Sequence, residues 1–250
     1  MLIEKKFIVN IIRSPEDKRD WKAESIYNVK SLPKTFSLVP ELQPIRNQGS
    51  QGTCAAQTAA CMKEWQEKKD INFEGYMSPQ FIYNNRQNQN SEGMFGRDVM
   101  KILSKIGSCS EKDYKYGLIE NPLNINSNIF KKAKNHIISN YAKVDTIQGL
   151  KNALIKNGPC YIAVPVYDYS TTMWKPKNSK DVRQGGHAMT IIGYDKKGFI
   201  IRNSWGENWG NKGYCNFSYE DWGMQWEIWT TIDATSYQEP KKKKKFSICP

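Results

Sequence analysis

The hydrophobic pattern of the chain changes at Gly158 and Pro159, and this change constrains the fold more than any other feature. Beyond it come short apolar runs separated by Gly, Asp, Asn and Lys turns, a pattern typical of strands. The predicted strands are YIAVPV (161–166), HAMTIIGY (187–194), GFIIRN (198–203), YCNFS (214–218) and WEIWTTI (226–232). Helical spacing dominates before this point, so the sequence predicts an α+β fold with helices first and strands afterwards.

The helices of the first part begin at recognisable start signals. Cys54, Thr58 and Cys61 fall on one face of a helix, and Thr53 is a candidate N-cap before them. Further helices are predicted to start at Ser78 and Pro79, to run from Arg97 to Ile106, and to start at Thr146. This pattern places Cys54 in the first turn of its helix.

The composition is that of a globular protein, with 39% hydrophobic and 25% charged residues and a mean hydropathy of −0.69. No apolar run approaches the roughly 18 residues of a membrane-spanning helix, so we expect no membrane partner. Lys5, Lys6 and Asn10 interrupt the first apolar patch, which makes it a poor secretory signal. The six cysteines form no CxxC pair, so we expect reduced thiols in a reducing compartment, the cytoplasm or a virion.

The net charge is +12, and a single run, Lys241 to Lys245, carries five of the positive charges. Such a run is compatible with binding to nucleic acid, anionic lipid or an import receptor, but most runs of this kind are solvated tails. Nucleic acid is therefore a weak candidate partner. Cys249 is assigned no function, and the sequence leaves the oligomeric state open.

Cys54 lies where a thiol is readily activated. Unpaired backbone N–H groups and the positive end of the helix dipole favour a thiolate in the first helical turn. Gly49 and Gly52 precede it, and they let a substrate backbone approach closely. A nucleophile also needs a base, and the chain holds two histidines. His136 lies in a lysine-rich, exposed segment, whereas His187 opens an apolar strand, so His187 is the favoured base.

Three segments resemble the signature blocks of papain-like cysteine peptidases: PIRNQGSQGTC, GGHAMTIIGY and IIRNSWGENWGNKGY. His187 and Asn203 follow Cys54 by 133 and 149 residues, and separations of about 130–150 are typical of this family. The resemblance covers about residues 33–232. It implies a two-lobed fold, with a helical N-terminal lobe, an antiparallel β-barrel-like C-terminal lobe and the active-site cleft between them.

The same resemblance implies a role for each matched residue. Cys54 is the nucleophile, His187 the acid and base, Asn203 its orienting partner, and Gln48 a side-chain donor in the oxyanion hole. The residues implied to line the substrate cleft are Gly93, Gly186, Ala188 and Trp205, of which Trp205 also shields the Asn–His hydrogen bond. The implied reaction is hydrolysis of peptides or proteins through a thiolate–imidazolium pair and an acyl-enzyme, with no metal and no cofactor. Small residues at 186 and 188 leave room for a bulky apolar P2 side chain, with a pocket floor expected from residues 219–224.

The sequence also departs from the family pattern. Gln51 stands where most members place a disulfide cysteine, and SEGMFGRDV lacks the partner cysteine. Ala55 replaces the aromatic residue that usually follows the nucleophile. In these departures the chain resembles the disulfide-poor bacterial and viral members of the papain-like family.

Four segments are expected along the chain: an N-terminal extension or short propeptide (1–32), a helical lobe carrying the nucleophile (33–145), a β-rich lobe carrying His and Asn (146–235) and a basic tail (236–250). A full-length inhibitory pro-domain is not expected before LPKTF. Two other functions remain open. One is a catalytically silent papain-like binding module whose basic tail contacts nucleic acid, and the other is a papain-like acyl or amide transferase. Retention of all four catalytic positions speaks against the first, and Asn203 rather than a carboxylate speaks against the second.

Overall fold

The computed structural model describes residues 7–27, 29 and 31–233. The lysine run and Cys249 lie outside the described residues. The helices are α1 (Cys54–Ile71), α2 (Pro79–Asn84), α3 (Gly96–Lys105), α4 (Ser127–Ala133) and α5 (Ile147–Asn157). The strands are β1 (Phe36–Ser37), β2 (Ile138–Lys143), β3 (Cys160–Val166), β4 (Gly185–Tyr194), β5 (Gly198–Arg202), β6 (Tyr214–Ser218) and β7 (Glu227–Asp233).

Local capping sets several helix ends. The Ser78 hydroxyl accepts a hydrogen bond from the Phe81 N–H at 3.0 Å, which starts α2. The Thr146 hydroxyl accepts one from the Gly149 N–H at 3.0 Å, which starts α5. The central helix α1 ends at Asn72, whose φ of 55° is left-handed. These starts agree with the predicted ones because capping is a local interaction.

The strands pair antiparallel in one sheet of order β2-β7-β3-β4-β5-β6, with β1 added on β4. Strands β3 to β7 lie where the sequence predicts them. The structure adds β1, β2 and α4 within the part of the chain where the sequence predicts helices and loops. The sequence of β2, ISNYAK, fully buries Ile138 and Ala142 and is otherwise partly or wholly exposed, so its apolar signal is weak.

Each lobe is built around one large buried cluster. One packs α5 against the sheet and includes Leu150, Leu154, Ile162, Met189 and Phe217. The other surrounds α1 and α3 and includes Ala59, Met62, Val99, Leu103 and Ala188. Strand β4 contributes to both clusters, so it connects the lobes and borders the groove between them. None of the described helices is long and apolar enough to cross a bilayer.

Candidate active site

Cys54 is the first residue of α1 and directly follows the turn of residues 48–53. Its side chain is fully buried, and the backbone N–H of Ala188 on β4 lies beside the sulfur. Burial raises the pKa of the Cys54 thiol to about 12, although the backbone N–H groups of Ala188 and Ala55 act in the opposite direction. The sulfur is therefore a neutral thiol in this structure.

His187 on β4 and Asn203 at the end of β5 meet because the two strands are antiparallel neighbours. The His187 Nε2–H donates to Asn203 Oδ1 at 2.7 Å. This bond assigns the proton to Nε2 and leaves a lone pair on Nδ1, which has no hydrogen-bond partner among the described residues. Burial lowers the pKa of His187 to about 4, although the bond to Asn203 acts to raise it. The ring is thus a neutral base.

Trp205 covers the imidazole of His187. The two rings stack with centroids 4.2 Å apart and planes 28° apart. Trp205 is 2% exposed, and Trp209 packs edge-on against it at 5.6 Å. The indole therefore separates the His187–Asn203 hydrogen bond from bulk water.

Gln48 is held by backbone and side-chain contacts at the start of the turn. Its backbone N–H donates to the Ser204 carbonyl at 2.8 Å, and its Oε1 accepts from the Ser204 hydroxyl at 2.7 Å. The Gln48 Nε2 group donates to the Gln51 carbonyl at 3.0 Å. Since Ser204 follows Asn203, the same strand end positions both amide side chains.

His136 lies in a different environment from the one just described. Its Nδ1 is 2.7 Å from a carboxylate oxygen of Glu67 on α1, and its ring faces Phe73 at 6.5 Å. His136 is half-buried rather than exposed, because this contact with Glu67 holds it against α1. Among the described residues, no group of three or more His, Cys, Asp or Glu side chains could hold a metal ion.

A family model described as "Papain family cysteine protease" matches residues 32–231. The chain belongs to the papain family of cysteine peptidases. The resemblance, the two-lobed α+β fold and the enzyme class predicted from the sequence are therefore confirmed, and the substrates of the peptidase are peptides or proteins.

Several known proteins are similar to the peptidase. The structure of xylellain, a cysteine protease from Xylella fastidiosa, matches with a TM-score of 0.78 and 26% identity, covering 93% of this chain and 99% of that chain. An uncharacterised peptidase C1-like protein of Acanthamoeba polyphaga mimivirus is 28% identical over 86% of this chain and 77% of its own length. Cathepsin K of Mus musculus is 28% identical over 69% of this chain, which spans 55% of the cathepsin.

The groove of the peptidase is occupied by its own N-terminal segment, residues 7–20. The Ile11 N–H donates to the Gly186 carbonyl at 3.0 Å, and the Ile12 N–H donates to the Met94 carbonyl at 3.2 Å. The Phe7 ring stacks on Trp205 with centroids 4.4 Å apart and planes 4° apart. The segment therefore runs along the groove from Trp205 past Gly186.

Glycines permit this close approach of two backbones. A Cβ on Gly93 would lie 1.9 Å from the Asn10 carbonyl oxygen. A Cβ on Gly52, in the turn before Cys54, would lie 2.3 Å from the Asn10 side-chain nitrogen. Asn10 thus passes directly beside the turn that carries Cys54, and Ile11 belongs to the same buried cluster as Cys54.

One ion pair and several hydrogen bonds attach the same segment outside the groove. The Arg97 guanidinium on α3 donates to both Asp20 carboxylate oxygens at 2.9 and 2.6 Å, and to the Pro15 carbonyl at 2.6 Å. The Arg97 backbone N–H also donates to the Ser14 hydroxyl at 3.0 Å. The attachment is bidentate and partly buried, so it restrains the segment more than a surface ion pair would.

Ile11 fills an apolar pocket of the groove. It is 4% exposed and belongs to the same cluster as Met94, Ala163 and Ala188. Of residues 219–224, where the pocket floor is expected, Tyr219 and Trp222 pack instead on Phe199 of β5 and belong to the other cluster.

Trp226 and Glu227 lie at this pocket instead. A Cβ on Gly186 would meet the Trp226 ring at 2.2 Å, and Glu227 accepts a hydrogen bond from the Ser14 N–H at 3.4 Å. Sequence reasoning missed both residues, since WEIWTTI indicates a strand and does not show which of its side chains reach the groove.

Proposed function

We propose that the peptidase cleaves peptide bonds by attack of the Cys54 sulfur on the substrate carbonyl carbon. His187 Nδ1 takes the thiol proton and passes it to the leaving amine, and water then hydrolyses the acyl-enzyme. The Gln48 side chain and the Cys54 backbone N–H stabilise the oxyanion. The observation that carries this proposal is the bond from His187 Nε2–H to Asn203, because it leaves Nδ1 as the proton acceptor.

The proposal includes a latent state in which residues 1–32 act as a short propeptide. The position of residues 7–20 in the groove supports it, since a substrate backbone would need the carbonyls of Gly186 and Met94 that Ile11 and Ile12 already engage. Burial in this state also keeps both reacting groups neutral. Catalysis then requires the segment to leave, so that water or substrate replaces it.

The test compares full-length wild type with full-length Ile11→Asp. A carboxylate in the apolar pocket is strongly disfavoured, so this variant should release the segment. Leu123→Asp is the matched control because Leu123 is 91% exposed. We expect an epoxysuccinyl inhibitor to label Cys54 at least about tenfold faster in Ile11→Asp than in wild type or the control. Hydrolysis of a fluorogenic peptide library should likewise be faster in Ile11→Asp than in wild type or Leu123→Asp. Cys54→Ala should abolish both the labelling and the hydrolysis.

Two outcomes would contradict the proposal in different ways. Equal labelling and hydrolysis in wild type and Ile11→Asp would contradict the latent state but not the peptidase mechanism. Folded protein without labelling or hydrolysis in any variant would favour the silent binding module. Transfer of the acyl group to an added amine, with no hydrolysis, would favour the transferase.

A further inference from the structure

The turn of residues 48–53 carries the two groups on which the proposed oxyanion hole depends. Gln48 begins it and Cys54 follows it. Gly49 takes a φ of +59°, and Gly52 adds a second flexible position. A turn rich in glycine loses much conformational entropy on ordering, so it needs external contacts to hold one geometry. The described cysteines are all free, so no disulfide among them restrains the turn.

The Tyr116 hydroxyl bridges the two ends of this turn. It donates to the Gln48 carbonyl at 2.8 Å and lies 2.7 Å from the Thr53 hydroxyl. Since a carbonyl can only accept, Tyr116 donates to Gln48 and the Thr53 hydroxyl donates to Tyr116. Burial raises the pKa of Tyr116 above its usual value, so the phenol stays protonated and keeps its donor.

The Thr53 hydroxyl takes part in this bridge and not in the helix cap that its position predicts. Thr53 is the N-cap of α1, but its hydroxyl makes no capping hydrogen bond. A capping oxygen would engage backbone N–H groups in the first turn of the helix. The Thr53 hydroxyl therefore contributes to the bridge across the turn and does not cap α1.

The loop that carries Tyr116 is itself fixed to α2. The Gly117 N–H donates to Gln80 at 2.9 Å, and the Asn84 side chain donates to the Leu118 carbonyl at 2.8 Å. Gln80 and Asn84 are fully buried. Gln51 adds a second contact to the turn, since its amide donates to the Gly117 carbonyl at 3.2 Å. Tyr116 therefore links the turn to a rigid helix.

We infer that Tyr116 is a positioning residue of the peptidase, which holds Gln48 and the Cys54 N–H in the geometry that binds the oxyanion. This inference rests on the proposed hydrolytic mechanism. Tyr116→Phe removes the bridge and keeps the ring. Tyr114→Phe is the matched control, because the Tyr114 hydroxyl belongs to the same loop but bonds Asn84 and Glu120.

The first experiment measures backbone hydrogen exchange in the full-length variants, which requires no activity. We expect amides of residues 48–53 to exchange about tenfold faster in Tyr116→Phe than in wild type or Tyr114→Phe, with similar melting temperatures. Equal exchange in all three proteins would overturn the inference.

The second experiment introduces Tyr116→Phe and Tyr114→Phe, each separately, into full-length Ile11→Asp. Peptide hydrolysis by Tyr116→Phe should fall about tenfold in kcat with KM nearly unchanged, because the loss affects the transition state. Alkylation of Cys54 by iodoacetamide should stay within about twofold, since displacement at a CH₂ group forms no oxyanion. A parallel fall in alkylation, or unchanged hydrolysis, would overturn the inference. Absence of hydrolysis in Ile11→Asp itself would count against the proposed function, and the exchange result would then decide the inference.

Discussion

At the scale of single residues, burial acts on the thiol and the imidazole in opposite directions. It raises the pKa of Cys54 and lowers the pKa of His187, so both groups are neutral in this structure. A thiolate–imidazolium pair needs the reverse order of the two pKa values. Removing the segment should hydrate the pair and bring the two pKa values together.

The pH dependence of alkylation tests this directly. In full-length wild type, the thiol pKa of about 12 means that the thiolate fraction keeps rising with pH across the neutral and alkaline range. The iodoacetamide rate at Cys54 should therefore increase up to the highest pH that the fold tolerates. In Ile11→Asp the rate should level off at a clearly lower pH, as followed by mass spectrometry of the Cys54 peptide. Leu123→Asp should retain the wild-type profile, and identical profiles for all three would contradict the expectation.

Gln48 allows a second test at this scale. Gln48→Ala removes a side-chain donor of the proposed oxyanion hole, and loss of one such donor typically lowers kcat by about 10²–10³. We expect a loss of this size in Ile11→Asp/Gln48→Ala relative to Ile11→Asp, measured on a fluorogenic peptide. The exposed Gln87 provides the control, Gln87→Ala, which should keep full activity. A loss below about threefold would contradict the assigned role of Gln48.

At the scale of elements, the segment lies in the groove because several glycines leave room for its backbone. The loop before α3 supplies Gly93, and β4 begins with Gly185 and Gly186. A Cβ on Gly185 would lie 1.7 Å from the Val9 carbonyl oxygen. The loop before α3 and the start of β4 are distant in sequence, but both need glycine where the segment's backbone passes.

Gly93→Ala should displace the segment, because its Cβ would overlap the Asn10 carbonyl. We expect limited proteolysis within residues 7–20, and labelling of Cys54 by iodoacetamide, to be at least about tenfold faster than in wild type. Gly75→Ala is the control, since its Cβ would meet the movable end of the Phe73 ring at 3.1 Å. Wild-type proteolysis and labelling in Gly93→Ala would show that the contact does not hold the segment.

At the scale of the whole molecule, the buried charged residues Glu64 and Arg202 connect residues 43–46 to the core. Glu64 on α1 accepts the Met77 N–H at 3.1 Å and lies 3.5 Å from the Arg46 guanidinium. Arg202 on β5 donates to the carbonyls of Gln43 and Pro44 at 2.7 Å each. Burial raises the pKa of Glu64 to about 7 from 4.5, although Arg46 acts to lower it.

This pKa predicts how stability changes with pH. A carboxyl group whose pKa is higher in the folded state contributes stability that is fully present below pH 4.5 and is lost as pH rises through about 7. Glu64→Gln should remove this loss, which is on the order of 3 kcal/mol. Thermal melts at pH 5 and pH 7.5 should thus show a smaller stability difference in Glu64→Gln than in wild type. Equal differences would indicate that Glu64 stays ionised in the folded protein.

Comparison of particular elements shows why sequence reasoning succeeded in some places and failed in others. Strand β4 was predicted because its apolar run is continuous and buried, and α5 because Thr146 and Gly158 mark its ends. Strand β2 and helix α4 were missed because they are short and mostly polar. The segment boundaries at residues 145 and 235 and the role of the lysine run stay predictions.

The sequence by itself determined the family, the order of helices and strands, and the candidate residues Cys54, His187, Asn203 and Gln48. Those assignments depend on local periodicity and on motifs of adjacent residues. Only the tertiary structure decided that residues 7–20 fill the groove, that Trp226 borders the Ile11 pocket and that Tyr116 holds the turn before Cys54. These contacts join residues distant in sequence, and the bond from Tyr116 to Gln48 joins residues 68 positions apart. Local propensity carries no signal for such contacts, because they form only in the folded tertiary structure.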